Sequence, residues 1–246
     1  MPSQIGSRMA FQNAANAVKR AGLNPGNAIL SQSYLRFETA MVANATSYKF
    51  DVLVNETSYS PTFGQTTNKL NLQDAFVANQ LGVYVACTNG NSTNANEYRL
   101  LTYPTIGLSS GGAGNFTQAL ALNMLSLYNG YLSLTVNQRT VIPTWDLMRH
   151  YKVQNTQANG ANAQFGGTLT AYTAPLHMNG EDSVNLADDG LFPVEPNLVF
   201  AGNKKHDLSI TLPKGVTTLP SVPSNVETRI VIIARGILAQ NVTPIN

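Results

Sequence analysis

Gly107-Leu108-Ser109-Ser110-Gly111 has the G-x-S-x-G form of a serine-hydrolase nucleophile turn. That chemistry needs the serine on a strained turn between a strand and a helix, where its hydroxyl stands exposed. Gly112, Ala113 and Gly114 follow here, and glycine is a poor helix former. The stretch therefore reads as a Gly/Ser-rich loop, and Ser109 is the residue a hydrolase reading would use. His150, His177 and His206 are far apart and lack a metal-ligand spacing such as H-E-x-x-H. Each reads as an ordinary polar side chain. The glycines at 111, 112 and 114 are not followed by the lysine or glycine that phosphate-binding loops need. Cys87 is the only cysteine, which excludes an intrachain disulfide and an all-cysteine metal site within one chain. The expectation is a protein that is not an enzyme.

Two charge clusters are more informative. Glu181, Asp182, Asp188, Asp189 and Glu195 crowd one stretch with no base among them. Calcium takes several oxygens from a flexible loop, and Asp182, Asp188 and Asp189 are the candidate ligands. Asn179, Asn185 and backbone carbonyls could add to them. The spacing is not that of an EF-hand, so the competing reading is a solvated loop, or one that pairs with a basic neighbour. No cofactor other than calcium is suggested. At the other end of the chain, Arg8, Lys19, Arg20 and Arg36 precede the first acid, Glu38. Arg8, Lys19 and Arg20 lie on a predicted amphipathic helix. They make it a candidate arm for an anionic surface, either a lipid headgroup layer or a genome. The competing reading is a solvated helix packed on its own domain.

The elements that would position these groups follow from periodicity. Phe11, Ala14, Ala15 and Val18 share one helical face, Ser7 can cap the helix, and Gly22 and Pro25 stop it. Period-two runs then predict strands at 34–39, 47–54, 81–87, 97–103, 131–136, 139–142, 168–172, 197–201, 207–212 and 228–238. Two insertions, 72–80 and 116–128, read as helices. Gly202-Asn203 reads as a hairpin turn. So many strands suit a sandwich or barrel better than one flat sheet. Long polar connections, at 104–115, 154–167 and 173–196, read as surface or interface loops. The predicted division is an N-terminal arm at 1–30 and a β-sandwich at 31–246.

Composition bounds the rest. The chain has 246 residues, of which 43% are hydrophobic and only 11% charged, with a net charge of +2. The charge deficit is filled by 27 Asn and 23 Thr. No apolar run is long enough to span a membrane as a helix, and no signal peptide is visible at the N-terminus. The five N-x-[ST] sequons, at Asn44, Asn55, Asn91, Asn115 and Asn241, reflect that Asn and Thr abundance.

The most distinctive stretches are GYLSLTVNQRTVIPTWDLMRHY (130–151), LFPVEPNLVFAGNKKHDLSITLP (191–213) and TRIVIIARGILAQN (228–241). With the low charge and the Asn/Thr richness, this pattern resembles the jelly-roll capsid proteins of tailless bacteriophages, including those with internal membranes. The resemblance is one of architecture and composition, and no family residue is carried over. It implies an all-β fold: an antiparallel jelly-roll sandwich with short helical insertions and an N-terminal helix. A compact double jelly roll is the alternative. It also implies a virion structural protein, made in the host cytoplasm, that self-assembles as a trimer or larger ring. Its partners would be other copies, other capsid proteins, and viral membrane or genome through the basic arm. The alternative function is a virion spike or a receptor- or carbohydrate-binding sandwich, with Tyr103, Trp145 and Tyr172 as candidate aromatics.

Overall fold

Apolar residues at alternate positions favour strands that bury one face, and strands dominate the residues described by the computed structural model. These are 8–54, 68–89, 98–101, 126–150, 190–216 and 226–244. In chain order the elements are helix α1 (Arg8–Arg20), β1 (Leu23–Asn24), β2 (Ile29–Ala40), β3 (Ser47–Phe50), β4 (Ala75–Asn89) and β5 (Tyr98–Leu101). Then come β6 (Tyr131–Val136), β7 (Arg139–Asp146), a 3-10 turn (Leu147–His150), β8 (Leu191–Ala201), β9 (His206–Thr211), β10 (Val226–Gln240) and β11 (Thr243–Pro244).

The first sheet runs β2-β10-β4, and β8 and β5 pair with successive stretches of the far edge of β4. The second sheet runs β3-β9-β6-β7. β1 and β11 form a separate two-stranded ribbon. Every strand pair is antiparallel. Leaving β5 and the ribbon aside, four of the pairings nest. β2 pairs β10, β3 pairs β9, β4 pairs β8, and β6 pairs β7 across a short turn. That turn is Asn137-Gln138, with φ of 45° and 68°. Two left-handed residues give the tight hairpin that matches strand twist.

One buried cluster joins the sheets. Leu35 and Phe37 of β2, Val83 and Val85 of β4, Phe200 of β8 and Ile230 and Ile232 of β10 meet Phe50, Leu132, Leu134, Leu208 and Ile210 of the second sheet. A second cluster lies on the other face of the first sheet. There Ala14, Ala17 and Val18 of α1 pack on Val77, Ala201, Ile237 and Ala239. The helix thus covers one end of the sheet, and its buried stripe is Ala14, Ala17 and Val18 rather than one through Ala15. Ile29 and Leu30, on the arm side of the expected boundary, already belong to β2.

Farther along the same outer face sits a charged trio. Glu38 Oε1 accepts from Arg36 Nε at 2.6 Å, and its Oε2 accepts from Arg229 Nη1 at 3.1 Å. The Glu38 and Arg229 side chains are buried. Removing one member of such a set strands the other charges away from water, which costs more than the intact set contributes.

Two sequence expectations are corrected here. Residues 72–80 are not a helix, because β4 begins at Ala75. Ala75, Phe76, Val77 and Ala78 are all buried, with Phe76 and Ala78 in the inter-sheet core and Ala75 and Val77 under α1. A strand covered on both faces loses its alternation and becomes a continuous apolar run, which periodicity cannot tell from a buried helix. Gly202-Asn203 is not a hairpin either. β8 belongs to the first sheet and β9 to the second, so this turn crosses between sheets. Sequence shows that the chain turns, and only the partners show where it goes. Of the other expected helix, residues 126–128 are helical and the rest lies outside the described residues. The expected strand at 168–172 also lies outside them.

A bulge keeps β4 in register with the core. Ala78 pairs Gly236 and Gln80 pairs Arg235, so Asn79 has no counterpart on β10. Before it, Phe76 and Ala78 face the core; after it, Leu81, Val83 and Val85 do. Were the same sequence to run through without the bulge, Gln80 and Tyr84 would take inward positions, because side-chain direction alternates with period two. The bulged backbone presses on β10. A Cβ at Gly236 would lie 1.9 Å from the Val77 carbonyl oxygen. Gly236→Ala therefore lowers stability by about 2–3 kcal/mol, the range of an overpacked core. Urea unfolding measures this, and an unchanged midpoint would contradict the close approach.

Candidate functional site

The two described histidines are buried, and His150 is engaged through both ring nitrogens. Trp145 Nε1 can only donate, and it lies 2.9 Å from His150 Nε2. His150 Nε2 is therefore the acceptor, and Nδ1–H donates to the Gly190 carbonyl at 2.9 Å. Phe192 meets the imidazole edge-on, with ring centroids 5.3 Å apart. Burial pushes the His150 pKa down to about 4; the Gly190 hydrogen bond opposes this, while Arg149 adds to it. The arrangement ties the 3-10 turn after β7 to the start of β8. It is a neutral crosslink, with both ring nitrogens used and none left to take a substrate proton or a metal.

His206 is also buried, but it is held through one ring nitrogen. Its Nε2 accepts from the Ala201 N–H at 3.2 Å, which bridges the turn between β8 and β9. Burial pushes its pKa down to about 4, and the Lys204 cation adds to that, against a weaker backbone hydrogen bond at Lys204. Buried Asp74 is likewise committed to structure. Its Oδ1 accepts from the Asn241 N–H at 3.1 Å and its Oδ2 from Asn71 Nδ2 at 3.2 Å. It pins the approach to β4 against the chain leaving β10.

Trp145 has its ring occupied. The His150 ring stacks against it at 6.2 Å, and the Arg149 guanidinium lies 4.9 Å from its centroid. Tyr103 and Tyr172 lie outside the described residues, as do Ser109, His177 and the calcium candidates Asp182, Asp188 and Asp189. Among the described residues no cluster of three or more His, Cys, Asp or Glu could hold a metal ion. No described helix is long and apolar enough to cross a membrane.

What the described residues offer is surface. The solvent face of the second sheet is built from hydroxyls. Thr211 sits between Ser47 and Tyr131, and Ser209 between Lys49 and Ser133. Ser133 and Ser209 hydroxyls lie 3.0 Å apart, and those of Thr135 and Thr140 lie 3.5 Å apart. Lys49, Asp146 and Asp207 are the charges on these rows. Val141 of β7, Tyr131 of neighbouring β6 and Met148 of the 3-10 turn are exposed large hydrophobic side chains, and Pro143 interrupts β7 itself. Proline has no N–H to donate, so that edge strand is blunted against strand addition.

The basic residues expected on the N-terminal helix lie on a helix packed against the first sheet, and they are not alone. Arg8, Lys19 and Arg20 are exposed on α1. Lys204 Nζ donates to the Ala21 carbonyl at 2.6 Å, which brings the β8–β9 turn to the C-terminal end of α1. The next residue, Lys205, is joined to the β6–β7 turn. Its N–H donates to Asn137 Oδ1 at 2.8 Å, and its carbonyl accepts from the Asn137 N–H at 3.0 Å. Arg139 follows that turn. Lys19, Arg20, Arg139, Lys204 and Lys205 thus converge at one end of the sandwich from three segments far apart in sequence. An open cleft of about 370 Å³ lies there, lined by Thr135, Asn137, Gln138, Lys205 and Asp207. The Lys204-Lys205 pair was visible in the sequence as a local feature. Its proximity to α1 was not, because it depends on tertiary contacts.

The histidines give a pH dependence with a definite sign. Both have folded pKa values near 4, below the usual value of 6.5. Between those limits the unfolded chain binds more protons, so stability is full above 6.5 and falls as pH drops toward 4. The loss is on the order of 3 kcal/mol for each histidine. Urea unfolding at about pH 7 and about pH 4.5 reads it, with the double variant His150→Gln/His206→Gln as the control for titrating carboxylates. The variant's pH slope should be shallower than the wild type's; equal slopes would reject the assignment.

No protein-family model matches this chain, and no curated protein or solved structure matches it.

Proposed function

We propose that this chain is a jelly-roll structural subunit that assembles with copies of itself into a viral coat. The nested pairing carries the proposal. Taking β2, β3, β4, β6, β7, β8, β9 and β10 as one to eight, the sheets run 1-8-3-6 and 2-7-4-5. That order supports the jelly-roll reading, in which a long hairpin is rolled on itself. Jelly rolls also serve as lectins and as enzyme scaffolds, so the topology alone does not select a function.

The surface favours assembly over the alternatives. A monomeric domain ordinarily keeps itself soluble with about a quarter or more charged residues; this chain has 11%. Interface cores are depleted in charge, and the hydroxyl-rich middle of the second sheet's open face has that character. A spike or sugar-binding module would use an exposed aromatic platform with convergent polar groups, and the Trp145 ring is already engaged by His150 and Arg149. On this proposal the protein resides in virions, contacts other coat proteins, and turns over no substrate.

Light scattering on a sizing column at moderate salt tests it. The expected mass is that of a trimer or larger ring, or of a particle. A species of 26.4 kDa that stays single at high concentration overturns the proposal, and the binding-module reading then takes its place.

A further inference from the structure

We infer that the basic end of the sandwich is a binding surface for the phosphate backbone of nucleic acid. The observation is the convergence of Lys19 and Arg20 from α1, Arg139 from the β6–β7 turn, and Lys204 and Lys205 from the β8–β9 turn. Lys19, Arg20, Arg139 and Lys205 are exposed, and none of them makes a side-chain hydrogen bond or ion pair among the described residues. Lys204 spends part of its charge on the Ala21 carbonyl. Asp207 in the same cleft and buried Asp74, whose backbone carbonyl accepts from Gly202 of the β8–β9 turn, are the carboxylates that oppose them. The sum at this end remains strongly positive in a chain whose total is only +2.

The neighbouring groups select the partner. Thr135, Asn137 and Gln138 line the cleft together with Lys205 and Asp207. Hydroxyl and amide groups interleaved with Lys and Arg are the usual donors to phosphate oxygens. None of these residues is a large apolar side chain that could insert below lipid headgroups, as interfacial membrane binding requires. None is an aromatic that could stack on bases, so recognition is of backbone charge and not of sequence. Arg8, at the far end of α1, lies outside this surface. The inference rests on charge geometry alone and stands apart from the coat proposal.

Fluorescence anisotropy with short labelled single-stranded DNA of two unrelated sequences tests it. Both should bind with equal affinity, and log K should fall against log salt with a slope of about −3, as expected for four or five phosphate contacts. In the variant Lys19→Gln/Arg20→Gln/Arg139→Gln/Lys205→Gln the slope should fall below about 1 in magnitude, with affinity at moderate salt down at least tenfold. Circular dichroism melting checks that the variant folds. Should it not, the paired variants Lys19→Gln/Arg20→Gln and Arg139→Gln/Lys205→Gln take its place, and each should lower the slope partway. DNA binding that is unchanged in the folded variants, or insensitive to salt, overturns the inference. So does binding only to vesicles of phosphatidylglycerol and phosphatidylcholine, which would assign the surface to lipid. Light scattering on the same samples reports assembly separately, so a monomer that binds DNA sinks the coat proposal and leaves this inference standing.

Discussion

The antiparallel pair of β4 and β10 is the constraint on which the rest of the molecule depends. Each strand is 15 residues long, and they pair over almost their full length. Such a pair satisfies its inner backbone groups at once but needs partners on both outer edges, since buried amides without partners are costly. β2 supplies one edge, and β8 with β5 supplies the other. The pair also has two faces to cover. The second sheet covers one; α1 covers part of the other. The Arg36–Glu38–Arg229 trio occupies the outer face farther along. The bulge at Asn79 and the glycine at 236 are the local adjustments that let two such strands keep their apolar residues inward at the same time.

Much of this was legible in the residues. Strands with one wet face announced themselves: the expected run 131–136 coincides with β6, and 34–39 and 207–212 fall almost wholly within β2 and β9. The failures have one physical origin. A residue pattern reports how many faces an element buries, and it is silent on which element does the covering. The first part of β4, within 72–80, looked helical because α1 hides the face that would otherwise have been polar. The β8–β9 turn looked like a hairpin because a turn signal carries no information about the sheet its strands will join.

The same limit governed the sites. The histidines lacked any metal spacing, and a bland reading of them was correct in kind, but their roles as neutral crosslinks required knowing that Gly190 returns beside His150 and Ala201 beside His206. Arg8, Lys19 and Arg20 were readable because they share one helix. Lys204, Lys205 and Arg139 join Lys19 and Arg20 only through the Ala21 and Asn137 hydrogen bonds, and such contacts leave no mark on periodicity.

The distribution of charge links the two proposals without making either depend on the other. A sandwich whose open face is mostly hydroxyl can meet a neighbour there without desolvating many ions, and burying unpaired charge is costly. Neutral faces therefore favour contact between copies. Cations gathered at one end have the opposite consequence. Packed against the same end of another copy, they would repel, and repulsion between like charges penalises that arrangement. The basic end is thus disfavoured as a symmetric contact between copies, and it is left to a partner that brings negative charge.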